Sequence, residues 1–183
     1  MNTLTNISLH LSSMNNDNRL TKVDIRPLIK NRGSNNFIKI HKEKLKQTVL
    51  GFGGSFTESS ASIYHDLSQT KKDEIIEAYF GETGNNYSIG RTHINSCDFS
   101  LENYAHCETP GDIDLKNFSI SRNKKNLIPF IKDALRLTKN NFRIMASPWS
   151  PPSWMKTNGQ MNEGGKLKEE YKRAWADYYC KFI

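Results

Sequence analysis

The stretch YSIGRTHINSCDFS, residues 87–100, decides the fold. Its opening run, YSIGRTHI, mixes aromatic, aliphatic and β-branched side chains over strand length and reads as a buried strand. One charge, Arg91, lies inside that run, and a short turn after it delivers a carboxylate, Asp98. A charge in such a strand must be paired if it points inward. An acid at the C-terminal end of a parallel strand lies where barrel enzymes build their sites.

Working outward, both flanks carry helical periodicity. Upstream, Thr57 is placed to cap a helix beginning near Glu58, with small Ser and Ala residues for close packing. TKKDEIIEAYF, residues 70–80, then sets Ile75, Ile76, Tyr79 and Phe80 on one face, and Gly81 ends it. Residues 95–123 read mostly as loop. Downstream, LIPFIKDALRLTK, residues 127–139, spaces Ile128, Ile131 and Leu135 for a helix, with Leu127 and Ala134 offset and Pro129 in the first turn. FRIMASPW, residues 142–149, is the next strand. The final helix is EEYKRAWADYYCKFI, residues 169–183, with Tyr171, Ala174, Trp175, Tyr178 and Phe182 along one side.

Strand, helix, strand, helix, strand, helix is the grammar of a parallel sheet with crossover helices. The expected fold is therefore α/β, the first three βα units of a (β/α)8 TIM barrel over residues 49–183. A closed barrel of eight units takes about 250 residues. In front, FIKIHKEKLKQTVLGF, residues 37–52, alternates its side chains as an exposed strand or hairpin would, and Asn- and Ser-rich residues 1–18 predict a mobile tail. The GFGGS segment, residues 51–55, is read as a strand-to-helix turn, where a dinucleotide loop would sit. The GxGxxG fingerprint fails at Phe56, and no GxxxxGK[ST] follows, so tight backbone passage at the end of a barrel strand explains these glycines better.

Composition narrows the class further. With 36% hydrophobic and 25% charged residues the chain is neither disordered nor membrane-spanning, and no run approaches the roughly 18 apolar residues that a bilayer requires. Cys97, Cys107 and Cys180 are an odd set without CxxC spacing, so neither a disulfide framework nor a structural zinc site is implied. The N-terminus has no basic n-region followed by an apolar h-region, which leaves reduced thiols in a cytoplasmic setting as the default expectation. Of the net charge of +7, residues 1–50 carry +6, with nine Lys/Arg against three acids. A basic entry segment of this kind suits a solvated, Lys-rich strand face better than a nucleic-acid surface, and no nucleic-acid partner is expected.

The candidate chemistry collects at strand ends. Asp98 can accept two sugar hydroxyls at once, or can close an Asx turn or cap a helix. Trp149 and Trp154, in ASPWSPPSWMKTNG (146–159), offer flat faces to a pyranose and indole N–H donors, stiffened by Pro148, Pro151 and Pro152. Core packing explains one of those tryptophans more easily than both. Asn158, in the same loop, is counted with Arg91 and Trp154 as support for the site. Arg91 needs a carboxylate partner, either from a strand outside this chain or from Asp98 or Glu58. His93, His106, Cys97 and Cys107 match no common metal spacing and read as structural, and neither Glu58 nor Glu163 stands where acid/base work would place it. No metal or cofactor is expected.

GFGGSFTESSA (51–61), INSCDFSLENY (94–104) and ASPWSPPSWMKTNG, in that order and spacing, resemble glycoside hydrolase family 30. The similarity runs from about residue 36 to the end, through FIKI, KQTVLGF, ETPGDIDLKNFSI and WADYYCKFI. The resemblance implies a (β/α)8 barrel with a β-sandwich side domain, to which residues 19–48 would contribute strands. It implies a retaining β-glycosidase that cleaves glucosylceramide or a related β-glucoside with two glutamates about 5 Å apart. By the same resemblance, Asp98 and Trp149 bind hydroxyls of the sugar before the cleaved bond, and Arg91 supports the catalytic carboxylates from beneath. The family's acid/base ends the fourth strand in an Asn-Glu-Pro motif and its nucleophile ends the seventh. Both would lie beyond Ile183, so the chain is expected to be an inactive N-terminal portion, marginal alone, whose partners are a β-glucoside or glycolipid and the rest of the same enzyme.

Overall fold

Gly90 has no side chain because there is no room for one. A Cβ at that position would lie 2.7–2.9 Å from ring carbons of Phe56 and Phe142, which close over the middle strand of a parallel sheet. The computed structural model describes residues 8–24, 41, 43–139 and 141–183. It divides into two compact units, residues 1–47 and 48–183. In the first unit, β1 (Leu9–Leu11) pairs antiparallel with β2 (Thr21–Val23), Leu9 facing Val23 and Leu11 facing Thr21. The tail expected over residues 1–18 thus contains a strand at its described end. The strand expected at FIKI (37–40) lies outside the described residues.

In the second unit, β3 (Gly53–Phe56), β4 (Ile89–Ile94) and β5 (Arg143–Pro148) form a parallel sheet in sequence order. Gly53 pairs with Ile89 and Ile89 with Arg143, so the register is level across all three. The helices α1 (Glu58–Asp66) and α2 (Gln69–Phe80) join β3 to β4, and α3 (Ser121–Lys125) and α4 (Leu127–Leu137) lie between β4 and β5. Helix α5 (Lys172–Phe182) ends the chain. Among the described residues no helix is long and apolar enough to cross a membrane.

Local chemistry sets these boundaries. Thr57 caps α1 in a capping box with Ser60, satisfying amides that the first turn cannot pair. Ser68 caps α2 and Gly81 follows its last turn, as the periodicity required. Ile76 and Phe80 are buried as expected, whereas Tyr79 is exposed. The GFGG segment is not a turn. Gly53 and Gly54 belong to β3, and a Cβ on Gly53 would sit 1.5 Å from the Ile89 carbonyl oxygen, so glycine is what lets β3 meet β4 there.

Strand alternation gives the sheet two different faces. Phe56, Gly90 and Phe142 look toward the helices, where Phe56 stacks on Phe80 at 5.7 Å and meets Phe130 edge-on at 5.0 Å. Ala61, Tyr64, Leu127 and Ala134 complete that core. The opposite face carries Ser55, Arg91 and Met145 side by side, and Met145 is 55% exposed. A second core gathers Ile94, Cys107, Leu115, Trp154, Met155 and Tyr178 beneath the loops that follow β4 and β5.

Replacing Gly90 by Ala should lower the unfolding free energy by about 1–3 kcal/mol, because two core rings must shift to admit the methyl group. Urea unfolding followed through aromatic circular dichroism checks this, and an unchanged midpoint would refute the packing account.

Candidate functional site

The C-terminal ends of β3, β4 and β5 surround a cleft of about 360 Å³. Ser55, Phe56 and Thr57 come from β3 and its exit, Arg91 and His93 from β4, Cys97 and Phe99 from the turn after it, and Trp149 from the end of β5. Parallel pairing brings these ends together, because in-register strands finish at one edge of the sheet. Trp149 is 43% exposed and presents its ring to the cleft. The Arg91 guanidinium lies over that ring at 5.5 Å and donates from Nη2 to the Ser147 hydroxyl at 2.9 Å. Such a cation over an indole face contributes about 0.5–1 kcal/mol at an exposed site and holds the ring plane in place.

Asp98 is exposed between the two cleft-lining residues Cys97 and Phe99. Among the described residues its carboxylate accepts no hydrogen bond and forms no ion pair. The turn that carries it is closed by others: Cys97 N–H donates to the Ser100 hydroxyl at 3.0 Å and Ser100 N–H to the Cys97 carbonyl at 2.9 Å. The Asx-turn and helix-cap alternatives therefore find no contact here, and the acceptor oxygens are free for a ligand. Arg91 has no carboxylate partner among the described residues, so neither Asp98 nor Glu58 serves it. Glu58 is already engaged, accepting from Arg122 Nε and from Leu101 N–H at 2.9 Å, while Arg122 also reaches Glu102 at 2.6 Å.

Two residues expected to support the site, Trp154 and Asn158, do not line the cleft. Trp154 is 9% exposed, donates its indole N–H to the Cys107 carbonyl at 3.0 Å and packs edge-on against Tyr171 at 4.9 Å. It belongs to the second core and does not line the cleft. Asn158 folds its own loop, donating to the carbonyls of Asn162 at 3.0 Å and Gly164 at 3.3 Å and accepting from Gln160 N–H. The residues passed over in sequence are Phe99, whose exposed ring lines the cleft, and Asn95, which is buried and joins three segments. For Phe99 the signal was its place beside Asp98. Nothing in the spacing marked Asn95.

His93 and His106 are buried groups engaged with backbone carbonyls. His93 meets the Asn95 carbonyl at 2.6 Å and His106 the Ser119 carbonyl at 3.2 Å, each through Nδ1. Burial lowers the pKa of both, and that of His106 falls to about 4. The Cys107 thiol donates to Asp112 at 3.4 Å, and Cys97 is paired with Ser100. Among the described residues no group of three or more His, Cys, Asp or Glu side chains is placed to hold a metal ion.

Parallel strands joined by helices, with an aromatic-lined cleft at their C-terminal ends, have the architecture of a barrel-type α/β scaffold. The chain belongs to glycosyl hydrolase family 30: residues 49–183 match that family's TIM-barrel domain. It is 39% identical over 181 residues to putative glucosylceramidase 3 of Caenorhabditis elegans, covering 96% of this chain and 34% of that protein. It is 36% identical over 156 residues to lysosomal acid glucosylceramidase of Mus musculus, covering 82% of this chain and 30% of that one. The crystal structure of SrfJ from Salmonella typhimurium superposes with a TM-score of 0.71 at 44% identity, over 75% of this chain and 31% of that one. The chain thus spans about a third of the length of the curated relatives it matches.

The depressed pKa of His106 has a direct consequence for stability. The folded ring stays neutral down to about pH 4, whereas the unfolded ring takes up a proton below its ordinary 6.5. This contribution is complete above pH 6.5 and is lost as pH falls toward 4. Between pH 7 and 4.5 the His106→Gln variant should lose about 2 kcal/mol less stability than the unmodified chain. Denaturant titrations at the two pH values check this, and parallel losses in both proteins would refute it.

Proposed function

We propose that this chain is the N-terminal portion of a retaining β-glycosidase and holds the sugar, while the bond-breaking carboxylates come from barrel strands outside its 183 residues. The proposed architecture is the first three βα units of the eight-unit barrel, with the N-terminal segment contributing to a β-sandwich side domain. The observation that carries this proposal is the cleft. It offers an indole face, a guanidinium stacked against it and, from the adjoining turn, a carboxylate with no partner among the described residues, yet none of its lining residues is an acid.

Each part has a chemical task. The Trp149 face packs on the C–H face of a pyranose, and Asp98 accepts hydrogen bonds from two adjacent hydroxyls. Arg91, on the open face of the sheet, supplies positive charge beneath the place where the family's two glutamates meet. Retention requires those carboxyl groups about 5–5.5 Å apart, one as acid/base and the other as nucleophile. Glu58, tied to Arg122 and the Leu101 amide, is in no position to substitute. By kinship with the glucosylceramidases named above, the substrate is a β-glucoside such as glucosylceramide. The remaining units of that barrel would cover Arg91, Met145 and the edge of β5, which pairs with no further strand among the described residues.

The same lack of acids at the cleft favours a second reading, a carbohydrate-binding protein that has given up hydrolysis. A transcript continuing past Ile183 into a strand that ends Asn-Glu-Pro supports the enzyme, and a stop codon there supports the binding protein.

The 183-residue chain should show no turnover of an aryl β-glucoside but should bind phenyl β-D-glucoside weakly, as read by ligand-observed NMR. Turnover that an active-site inhibitor abolishes would overturn the proposal. In the barrel that contains both glutamates, Asp98→Ala should lower kcat/KM by at least about 100-fold. Two hydrogen bonds to a charged acceptor contribute about 1.5–3 kcal/mol each. An unchanged kcat/KM would remove Asp98 from the site.

A further inference from the structure

Asn95 is fully buried and its one carboxamide bonds to three separate segments. Nδ2–H donates to the carbonyl of Ser150, the residue after Trp149, at 2.9 Å. Oδ1 accepts from the His106 backbone N–H at 3.1 Å and from the Tyr178 hydroxyl on α5. The partners dictate which end of the amide is which, since a carbonyl can only accept and a backbone N–H can only donate. Asn95 also stands at φ 63°, a left-handed backbone conformation that Asn tolerates better than most residues, and its own carbonyl is met by His93 Nδ1 at 2.6 Å. This bend lies three residues before Asp98, just ahead of the Cys97–Ser100 turn that carries it.

We propose that Asn95 is the positioning residue of the sugar cleft, its carboxamide holding the Asp98 turn and the Trp149 loop at a fixed separation. The proposal rests on the reading of Asp98 and Trp149 as the sugar-holding pair. A pyranose gripped by a carboxylate and an indole face needs those two groups set within about half an ångström, which exposed loops cannot achieve unaided. The amide is the group that can do this here, because one end must donate to Ser150 while the other accepts from His106 and Tyr178. An aspartate keeps the acceptor and tolerates the backbone angle but has nothing to donate to Ser150. A glycine keeps the backbone and loses both arms.

The test labels the chain with 5-fluorotryptophan and follows its three tryptophans by fluorine NMR, with Trp149 assigned through Trp149→Phe. In Asn95→Asp, which keeps the acceptor for Tyr178, the Trp149 line should shift or broaden while those of Trp154 and Trp175 stay, and in Asn95→Gly the Trp149 line should move at least as far. An unmoved Trp149 line overturns the proposal. Tyr178→Phe cuts the other arm and should leave the Trp149 line in place; displacement equal to that in Asn95→Asp would assign the control to α5 packing and overturn the proposal. In the unmodified chain one Asn95 Nδ2 proton should exchange slowly with solvent, and fast exchange of both contradicts the Ser150 bond without need of any variant. Titration with phenyl β-D-glucoside then reads the consequence: Asn95→Asp should raise Kd about tenfold. A displaced Trp149 line with unchanged affinity would overturn the positioning role. Undiminished binding by Asp98→Ala and Trp149→Ala would instead overturn the sugar reading and leave the tie as a feature of the fold.

Discussion

The contact of Phe56 and Phe142 across the bare backbone of Gly90 is the constraint on which the second unit is built. It draws helices α1, α2 and α4 onto one face of the sheet around a cluster of four phenylalanines. Because strand side chains alternate, burying Gly90 on the helix side turns Arg91 to the other side. The hydrophobic core therefore decides where the positive charge of the cleft stands. The level register then brings Ser55, Arg91 and Met145 abreast, with β3 ending at Phe56 opposite Thr92 and β4 and β5 running on together to Ile94 and Pro148.

What lies above the strand ends is held by polar bonds rather than by apolar packing alone. Tyr178 is wholly buried, yet its hydroxyl donates to Asn95 and accepts from the amides of His106 and Cys107 at 2.6 and 3.1 Å. Every backbone amide satisfied in this way removes a desolvation cost of about 1–3 kcal/mol that a loop buried without partners would carry. The Arg122 guanidinium, stacked 4.1 Å over the Tyr104 ring and bonded to Glu58 and Glu102, pins the same loop to the start of α1. The loops can thus be long and still present fixed groups. The polar atoms left unpaired in this region include Nε2 of His93 and of His106, on rings kept neutral by burial.

The cleft is lopsided in its chemistry. Its lining combines aromatic rings, hydroxyls and a guanidinium, and none of the residues that line it is an acid. In a barrel enzyme such a division is natural, since each strand end contributes its own residues to a shared mouth. Family 30 membership over residues 49–183 and coverage of about a third of the relatives' length fit that division.

Periodicity and capping chemistry were enough to place α1, α2, α4 and α5 and the strands around residues 87 and 142, because those signals are local. The motif around Asp98 and Trp149 was legible for the same reason: strand-end residues follow directly from strand limits. The glycines at 51–54 mark tight backbone passage in sequence but look like a turn, and only the pairing of Gly53 with Ile89 identifies Gly53 and Gly54 as part of a strand. Trp149 and Trp154 are alike in sequence. The fold sends one to the cleft and the other to the core, according to where α5 and the loop after β4 come to lie. Glu58 and Arg122, 64 positions apart, and Asn95 and Tyr178, 83 apart, meet only when the chain is folded. Short-range patterns along the chain set the parallel α/β order and the residues at the strand ends. The tertiary structure alone decided which buried polar groups satisfy one another, because that pairing depends on distances between segments remote along the chain.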